Sequence, residues 1–350
     1  MTLDLAHIEA LVVRCPTWVG DIAMATPVFE CLRLNLPQTR IIAMLKESAQ
    51  GILRDSPWID GFVDANDKTW SGFCQMRRQL RACRPDAAIL LTNSLRSALT
   101  MKLSGVKTVY GYRREWRGPL LAGGPAVPRN AQGIVPIPMV DYYLEVCRWL
   151  NLEIPAVVKP KLFIGEALRQ RGEMLLQRCG IDESDFVIGL NPGASFGASK
   201  CWPAEYFAEL ADQCKEHLGT KVVIFSGPGE EAIVQTILDR AKADLIDLRD
   251  KGVDLELLKP LVQRCNLMIT NDTGPRHYAV AFDVPTVVIM GPTDPRFTAS
   301  NLERTVVVRK ELPCSPCHEK TCPLQHHKCM REITPAEVFA AAEALLNTCV

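Results

Sequence analysis

Four loops of this 350-residue sequence carry residues that could move a proton or bind an anion, and each follows a short apolar run. In the first loop, Arg14–Asp21, Gly20 permits a tight turn and Asp21 falls where a helix should begin. A carboxylate at a helix entrance can cap the helix or act as a general base, and the sequence leaves both roles open. We take Asp21 as the candidate catalytic residue of this loop.

The second loop, Asn191–Pro203, combines small residues with one lysine. Gly193, Ser195 and the small residues around them allow the backbone to approach a ligand closely, and Lys200 supplies a positive charge just before the next helix. Neither a Walker A motif nor Gly-x-Gly-x-x-Gly occurs in the chain. A plain long loop is the alternative, but small residues, a lysine and a helix entrance together favour contact with a phosphate.

The third loop follows an apolar run that ends at Thr270 and leads into a helix in which Pro275 holds an early position, where proline is tolerated. Backbone amides around Thr273 and Gly274 would then form an anion site at the helix start. Asp272 and Thr273 could instead serve only as helix caps.

His277 lies one turn into the same predicted helix, at the same end. The fourth loop, Gly291–Thr298, ends the next strand and is expected to shape the neighbouring wall. Because three of the four loops lie in the second half, we predict that this half binds a donor that carries a diphosphate. The chain contains no Asp-x-Asp, so we expect Lys200 and helix-start amides, rather than a divalent cation, to offset the phosphate charge.

Short apolar runs alternate with amphipathic segments along the whole chain, which is typical of parallel sheets with helices on both faces. The predicted strands are 10–13, 41–45, 87–91, 106–110, 186–190, 222–225, 267–270 and 286–290. The predicted helices include 23–36, 204–218, 230–243, 255–264 and 335–346. We therefore predict an α/β protein with two Rossmann-like, doubly wound domains that face a central cleft, with ligands beyond the carboxyl ends of the strands.

The predicted domain limits follow from proline-containing connections. Residues 1–163 form the first domain, and 151–163 is the connection to the second domain, 164–334. The second domain contains a Cys-rich loop at 313–330, and a final helix occupies 335–350.

The chain is neutral overall, with 40 Lys and Arg against 40 Asp and Glu, but its charge is uneven. Residues 1–165 hold 20 basic and 14 acidic side chains, a net charge of +6, which leaves −6 for the rest. This basic half could be a solvated surface or could bind an anionic partner. No nucleic-acid-binding motif accompanies the charge, so nucleic acid is not the expected partner.

Secretion and membrane insertion are disfavoured by two features. No apolar run approaches the roughly 18 residues that a spanning helix needs. The first ten residues lack the basic start of a signal peptide. We expect a cytoplasmic protein.

Four of the 14 cysteines cluster near the C-terminus, at Cys314, Cys317, Cys322 and Cys329. Their spacing fits neither a zinc ribbon nor a zinc finger, although four thiols could hold a metal ion. A disulfide framework is not expected in a cytoplasmic chain. We expect a reduced structural loop without metal and leave metal binding as the open alternative.

Six motifs in order along nearly the whole chain resemble glycosyltransferase family 9, the lipopolysaccharide heptosyltransferases. They are Thr17-Trp-Val-Gly-Asp21, Asn93-Ser-Leu-Arg-Ser-Ala-Leu99, Gly111-Tyr-Arg-Arg-Glu-Trp-Arg117, Pro192–Pro203, Thr270-Asn-Asp-Thr-Gly with His277, and Gly291-Pro-Thr-Asp-Pro-Arg-Phe-Thr298. The resemblance implies a GT-B fold and an inverting, metal-independent transfer of heptose from an ADP-heptose donor to the inner core of lipopolysaccharide. No cofactor is implied.

The resemblance also implies roles for individual residues. Asp21 matches the family's catalytic base, and Lys200 matches the lysine that contacts the donor phosphate. The implied donor-binding residues are Ser195, Lys200, Glu231, Asp272, Thr273, Gly274 and His277, with Glu230 as the alternative to Glu231. The family's last helix packs back on the N-terminal domain, which is the expectation for 335–350.

The anionic acceptor that the resemblance implies would account for the basic first half. The expected acceptor-binding residues are Asn93, Ser94, Arg96, Arg113, Arg114 and Arg117. The same arginines could attract the enzyme to the anionic cytoplasmic leaflet of the inner membrane. We expect a monomer that adds the second heptose. The alternatives are first-heptose transfer, another family 9 sugar or acceptor, and a nucleotide-sugar-binding module without turnover.

Overall fold

The computed structural model describes residues 8–131 and 133–348, so the predicted limits at residues 1 and 350 lie outside the described part. The strands are β1 Ala10–Arg14, β2 Arg40–Leu45, β3 Gly61–Asp64, β4 Ala87–Leu90, β5 Thr108–Gly111, β6 Arg129–Asn130, β7 Gly133–Ile134, β8 Val187–Asn191, β9 Lys221–Ile224, β10 Leu245–Asp247, β11 Leu267–Asn271, β12 Thr286–Ile289 and β13 Thr305–Val308. The helices are α1 Val19–Met24, α2 Thr26–Asn35, α3 Trp70–Cys83, α4 Leu95–Leu103, α5 Met139–Trp149, α6 Glu166–Arg178, α7 Ala204–Leu218, α8 Glu231–Arg240, α9 Leu258–Gln263, α10 Gly274–Ala281, α11 Lys328–Arg331 and α12 Pro335–Thr348.

The chain divides into two compact units, each built on its own parallel sheet. The first unit runs to Phe163 and includes Arg296–Ser300, and the second comprises Ile164–Pro295 and the residues from Asn301 onward. The strand order is β3-β2-β1-β4-β5 in the first sheet and β10-β9-β8-β11-β12-β13 in the second. All pairings within both sheets are parallel. This doubly wound order confirms the predicted α/β class.

Each sheet reverses its strand order at one point. In the first sheet, β1 lies between β2 and β4, and in the second, β8 lies between β9 and β11. Ligands of doubly wound sheets bind outside the carboxyl ends of the strands at such a reversal. The loops after β1 and β4, and those after β8 and β11, are therefore the positions where chemistry is expected.

The central strands are continuous apolar runs in the sequence because helices cover both faces of each sheet. All five residues of β8 and of β11 are buried, as are the first four of β1. The core of the second unit gathers residues from its strands and from α7, including Leu190, Phe207 and Ile269. Rigid, fully buried strands fix the positions at which the functional loops begin.

The apolar face of the last helix, α12, belongs to the core of the second unit. The expectation that this helix also packs back on the N-terminal domain stays a prediction. Val338, Ala342 and Leu345 are buried there, at the three- and four-residue spacing of one helix face. That apolar stripe is therefore used within the unit that contains the helix.

Candidate active site

The two loops at the reversal of the second sheet are joined by an asparagine that the sequence analysis did not single out. Asn271 ends β11, and its Nδ2 donates to the carbonyl of Pro192 at 2.6 Å. Its Oδ1 accepts from the backbone N–H of Trp202 at 3.2 Å. Asn271 is fully buried, so both ends of the loop between β8 and α7 are held against β11.

Asp272 lies directly after Asn271 and joins two cations. The Nζ atom of Lys200 lies 2.8 Å from Asp272 Oδ2, and Arg276 Nη1 lies 2.7 Å from Asp272 Oδ1. The hydroxyl of Thr293 also donates to Oδ2 at 2.7 Å. The structure thus brings together predicted residues of the second and third loops with Thr293 of the fourth.

The ionic state of this cluster follows from its environment. Burial alone would raise the pKa of Asp272, but Arg276 and Lys200 together hold that pKa well below its usual value. The carboxyl group is therefore ionised at neutral pH. Two cations and one carboxylate leave the cluster with one net positive charge, which suits an anionic ligand.

His277 is buried beside this cluster. Burial, together with the nearby charge of Arg276, lowers the pKa of His277 to about 3. Its imidazole is therefore neutral at neutral pH, and it adds hydrogen-bonding capacity rather than charge.

The start of α10 presents its amides without a competing side chain. Thr273 is the N-cap residue, and in the described structure no side-chain hydrogen bond caps this end. The alternative in which Asp272 and Thr273 act only as caps is thus wrong. Thr273 and Gly274 are half-buried and Ser195 is exposed, so a ligand can reach all three. Unsatisfied amides at a helix start attract phosphate.

The glutamate nearest to this loop is Glu230 rather than Glu231. The carboxylate of Glu230 occupies the space that a side chain on Gly193 would fill, 1.8 Å from an ideal Cβ. Glu230 also accepts from the N–H of Gly227 at 2.7 Å. Glu231 is exposed and bonds to the N–H of Gly229 at 3.1 Å, so the structure does not bring it to the other donor residues.

The Cys-rich segment holds the loop that carries Lys200. The N–H of Ser199 donates to the carbonyl of Lys320 at 3.0 Å, and its hydroxyl donates to the carbonyl of Glu319. The imidazole Nε2–H of His327 donates to the carbonyl of Ser199 at 2.8 Å. We call the segment Cys314–Cys329 the clasp, because it bonds to the residue before Lys200 in the loop between β8 and α7.

The thiols of the clasp are unbridged. Cys314, Cys317, Cys322 and Cys329 are all free thiols. Burial, together with the other three thiols nearby, raises the pKa of Cys329 to about 11. Across the described residues, no group of three or more His, Cys, Asp or Glu side chains is arranged to hold a metal ion.

At the reversal of the first sheet, Asp21 is positioned by a tyrosine. Asp21 lies in the first turn of α1, after the N-cap residue Trp18, and is half-buried. The hydroxyl of Tyr143, on α5, donates to Asp21 Oδ1 at 3.0 Å. Burial raises the pKa of Tyr143 well above its usual value, and the charge of Asp21 adds to this rise, so the hydroxyl remains a donor. Asp21 is not the N-cap residue of α1, which is Trp18.

The neighbouring tyrosine positions Asn93. The hydroxyl of Tyr142 donates to Asn93 Oδ1 at 2.8 Å, and its ring stacks on Tyr112 with centroids 4.0 Å apart. Ser94 is the N-cap of α4 and accepts from the N–H of Ser97 at 3.2 Å. Asp21 therefore lies in the helix that follows β1 and Asn93 on the loop after β4, and adjacent tyrosines of α5 bond to both.

The four arginines expected to bind the acceptor have different surroundings. Arg96 and Arg113 are exposed, and Arg114 forms a 3.6 Å ion pair with Glu115. Arg117 is wholly buried and donates to the carbonyls of Tyr112 and Thr92 at 2.9 and 2.6 Å. Arg117 stabilises the turn before α4, so the prediction that it contacts an acceptor is wrong.

None of the helices in the described residues is both long enough and apolar enough to cross a membrane.

Comparisons with known proteins find relatives that align with nearly the whole chain. The model of glycosyltransferase family 9 (heptosyltransferase) matches residues 73–328. A lipooligosaccharide heptosyltransferase 2 of Campylobacter jejuni is 26% identical over 342 residues, which cover 96% of this chain and 98% of that protein.

Two solved structures share the fold. The glycosyl transferase family 9 structure from Veillonella parvula superimposes with a TM-score of 0.86 and 26% identity, covering 99% of both chains. The ADP-heptose LPS heptosyltransferase II of Escherichia coli gives a TM-score of 0.80 and 26% identity, covering 97% of this chain and 99% of that one. The family match covers more than half of the chain, and the sheets have the expected topology. This chain therefore belongs to glycosyltransferase family 9 and has the GT-B fold.

Proposed function

We propose that this enzyme transfers L-glycero-D-manno-heptose from ADP-heptose to a heptose of the lipopolysaccharide inner core, adding the second heptose. One observation carries the proposal. At the reversal of the second sheet, the cationic cluster that contains Lys200 and Asp272 lies beside the start of α10, which has no side-chain cap. The names of the relatives, heptosyltransferase 2 and heptosyltransferase II, support the choice of sugar and acceptor.

The donor is bound by the second unit. Lys200 and the amides of Thr273 and Gly274 bind the diphosphate and stabilise the charge that grows on departing ADP. Arg276 keeps Asp272 ionised and paired when Lys200 turns toward phosphate, because its own ion pair with Asp272 is fully buried. Ser195 and neutral His277 complete the polar contacts with the donor. Glu230, against Gly193, is the acidic residue that we assign to the nucleoside.

The acceptor is bound by the first unit, where Asp21 acts as the base. Asp21 takes the proton of an acceptor hydroxyl while that oxygen attacks the anomeric carbon of the donor, which inverts the configuration. The hydrogen bond from Tyr143 orients the Asp21 carboxylate. In this step Lys200 and the amides at the start of α10 take the role that a divalent cation has elsewhere, and the chain carries no Asp-x-Asp.

Peripheral contact with the inner membrane fits a lipid-anchored acceptor. Helix α4 exposes three leucines at a four-residue spacing, Leu95, Leu99 and Leu103. Trp70 and Trp116 are also exposed, at 79% and 95%, and so is Arg96 on α4. Apolar side chains with interspersed cations are suited to an anionic lipid surface.

The roles of Asp21 and Lys200 can be separated in one experiment. Asp21→Asn keeps the acceptor for the Tyr143 hydrogen bond but removes the base, so transfer should fall about 10²- to 10⁴-fold with unchanged ADP affinity. Lys200→Ala removes a charged contact to phosphate, so the Kd for ADP should rise about 10- to 100-fold. Transfer is measured by mass spectrometry and ADP binding by calorimetry.

Lys215→Ala is the control, since Lys215 is exposed on α7. It should leave both quantities unchanged. Near-normal transfer by Asp21→Asn would refute the assignment of the base, and an unchanged ADP affinity of Lys200→Ala would refute the assignment of the phosphate contact.

A further inference from the structure

A cavity of about 440 Å³ opens at the carboxyl ends of β1, β2 and β3. Its wall includes Pro16 and Thr17, from the loop that leads to Asp21, and Leu45 at the end of β2. The volume falls in the range of ligand pockets, roughly 300–1,000 Å³. The lining residues follow three separate strands, so no local motif in the sequence marks this cavity.

Arg14, the last residue of β1, lies in the wall of this cavity with unused hydrogen-bonding capacity. Its side chain is 13% exposed, and the nearest carboxylate contact is 3.5 Å, from Nη2 to Asp67 Oδ2. Its Nη1 atom is buried and has no hydrogen-bond partner among the described residues. A buried guanidinium donor without an acceptor costs free energy, which a bound anion would recover.

The carboxylates of the cavity have other partners. Asp67 also contacts Arg96, whose Nε lies 3.7 Å from Asp67 Oδ2. Asp64 Oδ1 accepts from the N–H of Glu47 at 3.0 Å. Each of these two carboxylates therefore has a partner other than Arg14.

The lining as a whole suits a sugar that carries an anionic group. It contains three cations, Arg14, Lys46 and Lys68, and three carboxylates, Glu47, Asp64 and Asp67. The carboxylates can accept hydrogen bonds from sugar hydroxyls, and a guanidinium can bind a carboxylate or phosphate through two parallel hydrogen bonds. A lining of balanced charge does not favour a polyanion such as nucleic acid.

We propose that this cavity is an acceptor subsite that binds an anionic sugar residue of the acceptor, with Arg14 holding its carboxylate or phosphate. The inference rests on the proposed function, since it places the anionic sugar beside the loop that presents Asp21. Arg14 acts as a binding residue that determines which acceptors are used.

A double-mutant cycle between enzyme and acceptor tests this proposal. Wild type and Arg14→Met are assayed with a heptose-ending acceptor, with the same acceptor after its sugar carboxylates are reduced to alcohols, and with its dephosphorylated form. Arg14→Met should raise the acceptor KM about tenfold or more on the intact acceptor and leave the KM for ADP-heptose unchanged. On the acceptor that lacks the recognised anion, wild type and variant should have the same KM.

The two modified acceptors distinguish the sources of the anion. Equal KM values only on the carboxyl-reduced acceptor assign the anion to a carboxylate, and equal values only on the dephosphorylated acceptor assign it to a phosphate. Equal KM values on the intact acceptor would overturn the proposal, as would a rise of the same size on all three acceptors. Absence of transfer by wild type would instead refute the proposed function.

Arg40→Met is the matched control, because Arg40 lies at the opposite end of β2 and is exposed. It removes the same charge and should leave every KM unchanged. Arg14→Lys keeps the charge but not the paired hydrogen bonds, and it should give an intermediate acceptor KM. If Arg14→Met does not fold, the comparison of wild type, Arg14→Lys and the modified acceptors still decides the outcome.

Discussion

At the scale of single residues, one buried carboxylate organises the donor side. Asp272 binds Lys200, Arg276 and Thr293 at once, within 2.7 to 2.8 Å. The Arg276 contact is local in sequence, because Asp272 lies just before α10 and Arg276 is in the first turn of that helix. Lys200 and Thr293 come from other loops, 72 and 21 residues away, so their contacts depend on the strand order and could not be read from local sequence.

The neutral state of His277 has a consequence for stability. Its pKa is about 3 in the folded protein and 6.5 in the unfolded chain, so the unfolded state binds more protons between these values. The free energy of unfolding therefore has its full value above about pH 6.5. It falls with decreasing pH, by up to about 2 kcal/mol between pH 7 and pH 5. His277→Gln should lack this fall, as measured by urea unfolding at both pH values.

His217→Gln provides the comparison, because His217 is exposed on α7. Its pH dependence should match that of wild type. If wild type and His277→Gln lose the same free energy of unfolding between pH 7 and pH 5, the imidazole is not a buried neutral group.

At the scale of elements, the clasp connects two functional loops. Besides its bonds to Ser199, it donates from the N–H groups of Cys317 and His318 to the carbonyl of Pro292, at 3.1 and 2.8 Å. The loop between β8 and α7 and the loop after β12 are thus both bonded to the clasp. Gly197 is required at this contact, because a Cβ there would lie 2.4 Å from the carbonyl of Lys320.

We expect the clasp to contribute to donor affinity through Ser199. His327→Ala removes one hydrogen bond to the residue before Lys200, so the Kd for ADP should rise about two- to tenfold, in line with the net value of such a bond. Calorimetry measures the affinity, and thermal unfolding confirms that the variant is folded. Lys328→Ala, an exposed neighbour, is the control, and an unchanged ADP affinity of His327→Ala would show that the clasp only supports the fold.

The elements themselves were predicted with uneven success, for physical reasons. The predicted helix 204–218 has the observed bounds, because Gly219 stops it with a φ of +63°. The predicted helix 23–36 is instead two helices that meet at Ala25, where Pro27 begins a new helix. Strands β3, β10 and β13 were missed, and each has only three or four residues, with no fully buried run to mark it.

At the scale of the whole molecule, the sequence predicted the α/β class, the family and the loops that carry chemistry. It did so because strand–helix alternation and six ordered motifs are properties of the chain itself. It could not predict the partner of Asp21, since Tyr143 lies 122 residues away on α5. It also gave Arg117 to the acceptor, because burial depends on the folded packing.

The central claim is that this enzyme adds heptose to a heptose-ending acceptor, and one assay tests it most directly. Wild-type protein is incubated with ADP-heptose, with EDTA present, and with two acceptors, one ending in a first heptose and one lacking it. Mass spectrometry should find one added heptose on the first acceptor, together with an equal amount of ADP, and little product on the second. Transfer only to the acceptor without heptose, or ADP release without any transfer, would contradict the account.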